Sequence, residues 1–505
     1  MTKKAVILFF PLVEEKNPPN NYPWALIYLE RMLRQPEMEV ILIDERLHPD
    51  YADIVKNVAD RLLFAGVSAM IGYQMVGGLN FSRTVRSVSH APILWGGWFP
   101  SAFPEMALNS GYADYICVGQ GEMPIKLFAE KLLRNELPHD ISGIWYQREG
   151  LIIQNQNESL CNPKHYPRPN LRLFDINRLI DMNGVVGENS RGADYMASTG
   201  CPNQCGFCNL ALVFGSKWYP KDMTEIIQDI RFLKEEGHIS HLTFSDDNFF
   251  AAKKFVIDFC HAMVETDLDL TWEANAHIGY FLKHFSEEDV ELMTRAGCRR
   301  IKIGAESGDQ DVLDLIHKNI QVDDILKMVK LLQKHQIHNR IFTMVCFPGD
   351  PERDFRKTLK VICKAKLINP EIDVNVNFFK PIPKTPMFHI CVSSGFSYPP
   401  TIEGLIAFFS GKFTAPWYDQ DFHGQLDTFL NYYYPFTNPL FFRNFSLRKM
   451  PFAFLLNMII YPVIVFRTRF NWMKFSSTPP WFAKIIRFKT KNSYLESVST
   501  YKSRL

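Results

Sequence analysis

Residues 198–212 read STGCPNQCGFCNLAL. Cys201, Cys205 and Cys208 form a Cys-x3-Cys-x2-Cys run, and an aromatic residue, Phe207, directly precedes the last cysteine. Three thiolates this close can hold three irons of a cubane iron–sulfur cluster, and the run offers no fourth. An iron without a protein ligand can take a substrate or cofactor, so the spacing points to chemistry more than to electron storage. Two plainer readings compete. Structural zinc takes four ligands in paired Cys or Cys/His sets; His238 and His241 are available but lack the usual spacing. A ferredoxin-type run carries a fourth cysteine close by, often followed by proline.

The run resembles the signature of the radical S-adenosylmethionine (SAM) enzymes. The resemblance implies that Cys201, Cys205 and Cys208 hold a [4Fe-4S] cluster whose fourth iron is chelated by the amino and carboxylate groups of SAM. It also implies a one-electron reductase, a flavodoxin or ferredoxin. Its electron cleaves SAM to methionine and a 5′-deoxyadenosyl radical, which abstracts hydrogen from unactivated carbon. Phe207 then lies near the adenine.

On both sides of the run, short apolar segments alternate with helix-length segments. Strands are expected at 194–199, 241–245, 270–274, 300–305, 340–346 and 373–379, with helices such as 223–236 and 323–335 between them. Six βα repeats suit a partial (β/α)6 TIM-type barrel, in which chemistry sits at the carboxyl ends of strands. The resemblance assigns Asp246, in FSDDNFF, to the amino group of SAM, with Asp247 as its neighbour in the same region. It assigns Glu306 and Ser307, in RIKIGAESGD, to the ribose or amino-acid part of SAM. Plainer readings exist for each: a strand-end carboxylate capping a helix, or a simple turn. Glu273, in TWEANAH, alternates with apolar neighbours and needs a ligand, lysine or arginine nearby.

The first 135 residues form another α/β rhythm, with apolar runs at 5–10, 39–44, 64–70, 92–97 and 114–119. This predicts a doubly wound parallel sheet. Several strands run into glycine loops, where a ligand can approach the backbone. The order NPPNNYPWALIYLERML, GVSAMIGYQ, LWGGWFPSAFPE, DYICVGQGE resembles the cobalamin-binding domain that precedes the core in one subgroup of radical SAM enzymes. By this likeness Ser68, Gln74, Gly96, Gly97, Gly119 and Glu122 line the corrin pocket. The D-x-H-x-x-G motif that supplies a cobalt-binding histidine in many cobalamin proteins has no counterpart here. Residues 136–190 read as a connector, with a β-hairpin in ISGIWYQREGLIIQNQ. The core is expected over 191–395 and a mainly helical, aromatic and basic extension over 396–505.

Lys3 and Lys4 lead straight into a strand-like run, so no signal peptide is expected. Ten cysteines without disulfide spacing outside the cluster run suit a reducing compartment, and the resemblance to enzymes with an oxygen-sensitive cluster implies a cytoplasmic, anaerobic setting. Net charge is +2, yet residues 436–505 hold twelve Lys/Arg and one acid, Glu496, leaving −9 for the rest. The apolar stretch 451–466, PFAFLLNMIIYPVIVF, is short for a span and flanked by basic and aromatic residues. It reads as a helix lying in the inner membrane interface, a peripheral contact. No nucleic-acid recognition module accompanies the charge. Trp417, Tyr418, His423, Tyr432 and Tyr433 are candidate contacts to an apolar small-molecule substrate. The expected activity is that of a class B methyltransferase, moving a methyl group to an unactivated carbon of a lipid-like or tetrapyrrole substrate. Radical cyclisation, carbon–carbon coupling or oxidation without methyl transfer is the alternative, and a non-enzymatic cobalamin or redox sensor at a membrane the third.

Overall fold

The computed structural model describes residues 3–13, 21–157, 161–180, 190–410, 414–419, 421, 422, 424 and 426. β1 (Lys4–Phe10), β2 (Met38–Asp44), β3 (Leu62–Ser68), β4 (Ile93–Gly96) and β5 (Tyr115–Cys117) run parallel in the order β2-β1-β3-β4-β5. Ala5 to Phe9 are all buried. Helices cover both faces of such a strand, which is why it reads as an unbroken apolar run. The order reverses between β1 and β3, the place where open α/β sheets bind ligands at their carboxyl ends.

The hairpin of β6 (Ile144–Arg148) and β7 (Leu151–Gln154) joins the same sheet, β6 pairing antiparallel with β5. The sheet is therefore mixed, where the sequence predicted a purely parallel one. The physical reason is the edge. β5 is three residues long, and its open side is covered by the hairpin rather than left as a template for aggregation.

The second sheet holds β8 (Gly192–Tyr195), β11 (His241–Phe244), β12 (Thr271–Ala276), β13 (Cys298–Glu306), β14 (His338–Val345) and β15 (Asp373–Phe378). All neighbours in it are parallel and sequential. It is the open six-stranded barrel expected. Between β8 and β11 a small antiparallel ribbon forms from β9 (Ser198–Gly200) and β10 (Trp218–Pro220). The three cysteines lie in the loop that joins its strands. Gly200 makes the ribbon possible: its φ is +87°, and a Cβ there would come within 2.3 Å of the Lys217 carbonyl oxygen.

Helices Pro386–Ser393 and Ile402–Ser410 follow β15. Leu405 and Ile406 of the second pack into the core of the first sheet. The stretch 451–466, His423, Tyr432, Tyr433 and most of the basic extension lie outside the described residues. Among the described residues, no helix is long and apolar enough to cross a membrane.

Candidate active site

The cysteine loop is held by its backbone. Cys208 N–H donates to the Cys205 carbonyl at 3.0 Å, Gly206 N–H to the Ile316 carbonyl at 2.8 Å, and Met387 N–H to the Gly206 carbonyl at 3.0 Å. The loop is thus braced against the segments after β13 and β15. Burial pushes the Cys208 thiol up to about 12 and the Cys205 thiol upward too. Metal binding must therefore displace their protons. Among the described residues, no three His, Cys, Asp or Glu side chains converge on a single metal ion. His241 sits instead in the barrel, its Nδ1 2.9 Å from Thr271 Oγ1.

Glu306 stands beside this loop at the end of β13, with φ +60°. Its Oε1 accepts from Lys318 Nζ at 2.8 Å, and both residues are buried. Lys318 Nζ lies 6.0 Å from the centre of the Phe207 ring. Burial opposes its charge, but Glu306 and the nearby cysteines raise its pKa above the usual lysine value. Phe347 stacks on Phe379 at 4.5 Å and meets Phe207 edge-on at 6.5 Å. Lys318 escaped the sequence reading because a single lysine in LIHKNI carries no pattern. Its neighbours His317 and Asn319 both have positive φ, a backbone feature that sequence shows only faintly.

Two residues assigned to SAM are engaged elsewhere. Asp246 is fully buried, accepting from Ala197 N–H at 3.0 Å and from the Ser198 hydroxyl. Burial raises its pKa to about 7. The Ser307 hydroxyl donates to Asp354, whose pKa burial likewise raises to about 7. Their polar atoms brace strand ends. Asp247, the neighbour, is exposed on the wall of an open cavity, where the Gly200 backbone favours its charged form. Glu273 has the partners its burial demands: Arg300 at 3.1 Å and Lys302 at 3.2 Å. Burial raises its pKa, but His241, Lys302 and Arg300 outweigh that and pull it well down.

The cavity, of about 390 Å³, is lined by the carboxyl ends of both sheets. Ser68, Gly96, Gly97, Gly119 and Glu122 line it from the first sheet. Gln74 does not: its amide donates to the Pro11 carbonyl and accepts from Met70 N–H, both at 2.8 Å, which ties down the loop after β3. A Cβ on Gly96 would meet nothing nearer than 3.8 Å, and one on Gly119 nothing nearer than 3.9 Å. Both glycines leave open space on the cavity side. Gln120, which also lines it, is 6% exposed, and its Oε1 has no hydrogen-bond partner. A ligand bearing amide donors would satisfy that oxygen. From the barrel side come Met196, Thr199, Val213, Phe214, Ser245 and Asp247. Trp98 meets Phe214, just past the cysteines, at 5.9 Å.

Residues 195–362 match the radical SAM superfamily, and residues 18–129 match the B12 binding domain. The chain belongs to the radical SAM superfamily and carries an N-terminal B12-binding domain. It is a cobalamin-dependent radical SAM enzyme, and the cofactors of the two domains are a [4Fe-4S] cluster, SAM and cobalamin. Such an enzyme needs a substrate and a reductant. This radical SAM chain is 25% identical to an uncharacterized methyltransferase of Pyrococcus horikoshii, over 68% of its own length and 74% of the relative's. It is 24% identical to the cytidylyl-2-hydroxyethylphosphonate methyltransferase of Streptomyces wedmorensis, over 66% and 70%. It is also 24% identical to an anaerobic magnesium-protoporphyrin IX monomethyl ester cyclase of Synechocystis, over 53% of its own length and about half, 52%, of the cyclase. In fold it resembles the cobalamin-dependent SAM radical enzyme OxsB: TM-score 0.72, 17% identity, 99% of this chain and 79% of that one. It also resembles the methyltransferase TsrM of Kitasatospora setae: TM-score 0.63, 16% identity, 78% and 76%.

Proposed function

We propose that this enzyme transfers a methyl group to an unactivated carbon of an apolar, lipid-like or tetrapyrrole substrate. The observation that carries this reading is a cavity walled at once by the glycine loops of the first sheet and by residues flanking the cysteine loop. A corrin on one wall and a radical source on the other would address the same substrate carbon. When bound, SAM and the cluster supply a carbon-centred radical, and cobalamin supplies the methyl group.

The chain's own residues would do the following. Cys201, Cys205 and Cys208 would hold the cluster. Lys318, paired with Glu306, would offer a cation to a carboxylate, and Asp247 an anion to an ammonium. Phe207 and Phe347 would wall the adenine. Gly96, Gly97 and Gly119 would let the corrin approach the backbone, while Ser68, Gln120 and Glu122 would meet its amides. The cavity lining is largely apolar, which suits an apolar substrate and keeps water from a radical. Trp417 would close the far side of the barrel: its indole N–H donates to the Cys346 carbonyl at 2.9 Å, over the end of β14. The electron would come from a flavodoxin or ferredoxin, and the basic 436–505 segment would rest on a membrane. The chain would divide into a cobalamin-binding domain of residues 1–135, to whose sheet the hairpin of the connector 136–190 adds, a radical SAM core of 191–395 and an extension of 396–505.

The test is anaerobic reconstitution with SAM, hydroxocobalamin and a one-electron donor. Release of 5′-deoxyadenosine together with a product heavier by about fourteen mass units per turnover supports the reading. The resemblance to a cyclase favours one second reading, radical chemistry without methyl transfer. Loss of hydrogen or gain of oxygen would select it. An enzyme that never releases 5′-deoxyadenosine would overturn both.

A further inference from the structure

Asp194, on β8, is 7% exposed. Its Oδ1 accepts from the Tyr22 backbone N–H at 2.7 Å, and its Oδ2 from the Trp24 indole N–H at 2.5 Å and the Ser245 hydroxyl at 3.2 Å. The first two donors belong to the B12-binding domain, 172 and 170 residues away in the chain. The third belongs to the barrel. Trp24 and Ser245 both line the shared cavity, so one carboxylate joins a wall element from each side of it.

The surroundings complete a clasp. Trp24 meets Tyr195 edge-on at 5.7 Å. Lys221 Nζ lies 5.3 Å from the Trp24 ring, 5.6 Å from Tyr28 and 4.4 Å from Tyr195, and donates to the Tyr195 hydroxyl at 3.1 Å. Tyr28 is a cavity residue too. Apolar packing elsewhere also joins the two sheets, but dispersion contacts tolerate a small slide. Hydrogen bonds to a carboxylate are directional and do not.

We propose that Asp194 is a positioning residue that fixes the corrin wall in register with the cluster loop. This rests on the cofactor reading above. A methyl donor and a radical source on different domains must both reach one substrate carbon, where a misplacement of about 1 Å can cost a hundredfold in rate, and Asp194 is a directional tie between the walls.

The probe is the full chain carrying its cluster and loaded with hydroxocobalamin. The readouts are the affinity for hydroxocobalamin and the magnetic dipolar coupling between cob(II)alamin and the reduced cluster. Asp194→Asn must turn an N–H toward either the Tyr22 or the Trp24 N–H, donor against donor. It should weaken hydroxocobalamin binding about tenfold or more and shift or broaden the dipolar spectrum. Trp24→Phe keeps an aromatic ring but removes one donor, so in the double variant the introduced amide can turn without that clash. The double variant should recover part of both losses, a coupling that separate structural effects would not show. An Asp194→Asn spectrum identical to wild type, or a loss that the double variant does not relieve, overturns the clasp and leaves the cofactor reading intact. If Asp194→Asn does not accumulate, Trp24→Phe alone decides: an unchanged spectrum overturns the proposal. A wild-type chain that takes up the cluster but no hydroxocobalamin overturns the cofactor reading, and the clasp with it.

Discussion

Asp246 and Asp247 are adjacent, and nothing in FSDDNFF tells which one faces a ligand. Neighbouring side chains on an extended segment point to opposite sides, and only the register of the turn decides which is internal. The structure makes Asp246 a brace and leaves Asp247 to the cavity. Substituting each should therefore do different things. Asp247→Asn should leave the fold intact and raise the SAM dissociation constant about tenfold, read by equilibrium dialysis on the clustered protein. An unchanged affinity would remove Asp247 from the site. Asp246→Asn should change the pH dependence of stability. Burial lifts the Asp246 pKa from the ordinary 3.8 to about 7 in the folded chain. The folded state thus holds its proton more tightly, and this group stabilises the fold fully below about pH 4. That contribution is lost as pH rises to about 7. The variant lacks it, so its thermal midpoint relative to wild type should rise between about pH 4.5 and about pH 7.5. A constant difference would show that Asp246 is ionised throughout. The three cysteines were legible because their spacing is itself the signal. Glu273 was half legible: its need for a counter-charge followed from alternation, but Arg300 and Lys302 come from the next strand, whose register the sequence does not print.

Strands announced themselves through apolar runs, and all eleven expected ones exist within a few residues of their predicted bounds. The failures were at joints. The expected strand 194–199 is two, β8 and β9, because Ala197 N–H bonds the Asp246 carboxylate instead of a neighbouring strand. The Ala197 carbonyl in turn accepts from Lys221 N–H at 2.8 Å, and β9 pairs with β10 in the ribbon that carries the cysteines. The hairpin was recognised locally, but its pairing with β5 was not, since edge cover depends on where the sheet ends. The glycine loops at strand ends line the cavity, and one gives a sharp test of what fills it. Gly96 has open space where a side chain would project. Gly96→Leu should fold, because nothing nearer than 3.8 Å opposes its Cβ, and should retain iron while filling the corrin side of the cavity. Hydroxocobalamin affinity should fall by about a hundredfold or more, on the scale of a steric clash of a few kcal/mol. Visible-absorbance titration reads it. Binding as tight as wild type would place the corrin away from β4.

At the scale of the whole molecule the least legible feature was the docking of two sheets around one cavity. The contacts that make it, such as Asp194 with Trp24 or Trp98 with Phe214, join residues far apart in sequence, where no periodicity reaches. Each domain's ligand preference was readable alone, but not that both open into one space. This arrangement has a thermodynamic consequence. A ligand that touches both walls stabilises both, because opening either domain must first release it. At about a hundred times its dissociation constant, such a ligand adds about 2.7 kcal/mol against opening. Backbone amides that exchange through that opening should slow about a hundredfold. Hydroxocobalamin should therefore protect two sets of amides in hydrogen-exchange mass spectrometry. One set comprises residues 66–68, 96–98 and 119–121 on the first sheet. The other comprises 196–199, 213–214 and 245–247 on the barrel. Protection confined to the first set would mean that the corrin is held by the B12-binding domain alone. Transfer to a substrate at the cluster would then require the two sheets to move together during turnover, and the shared cavity would lose its role as the reaction chamber.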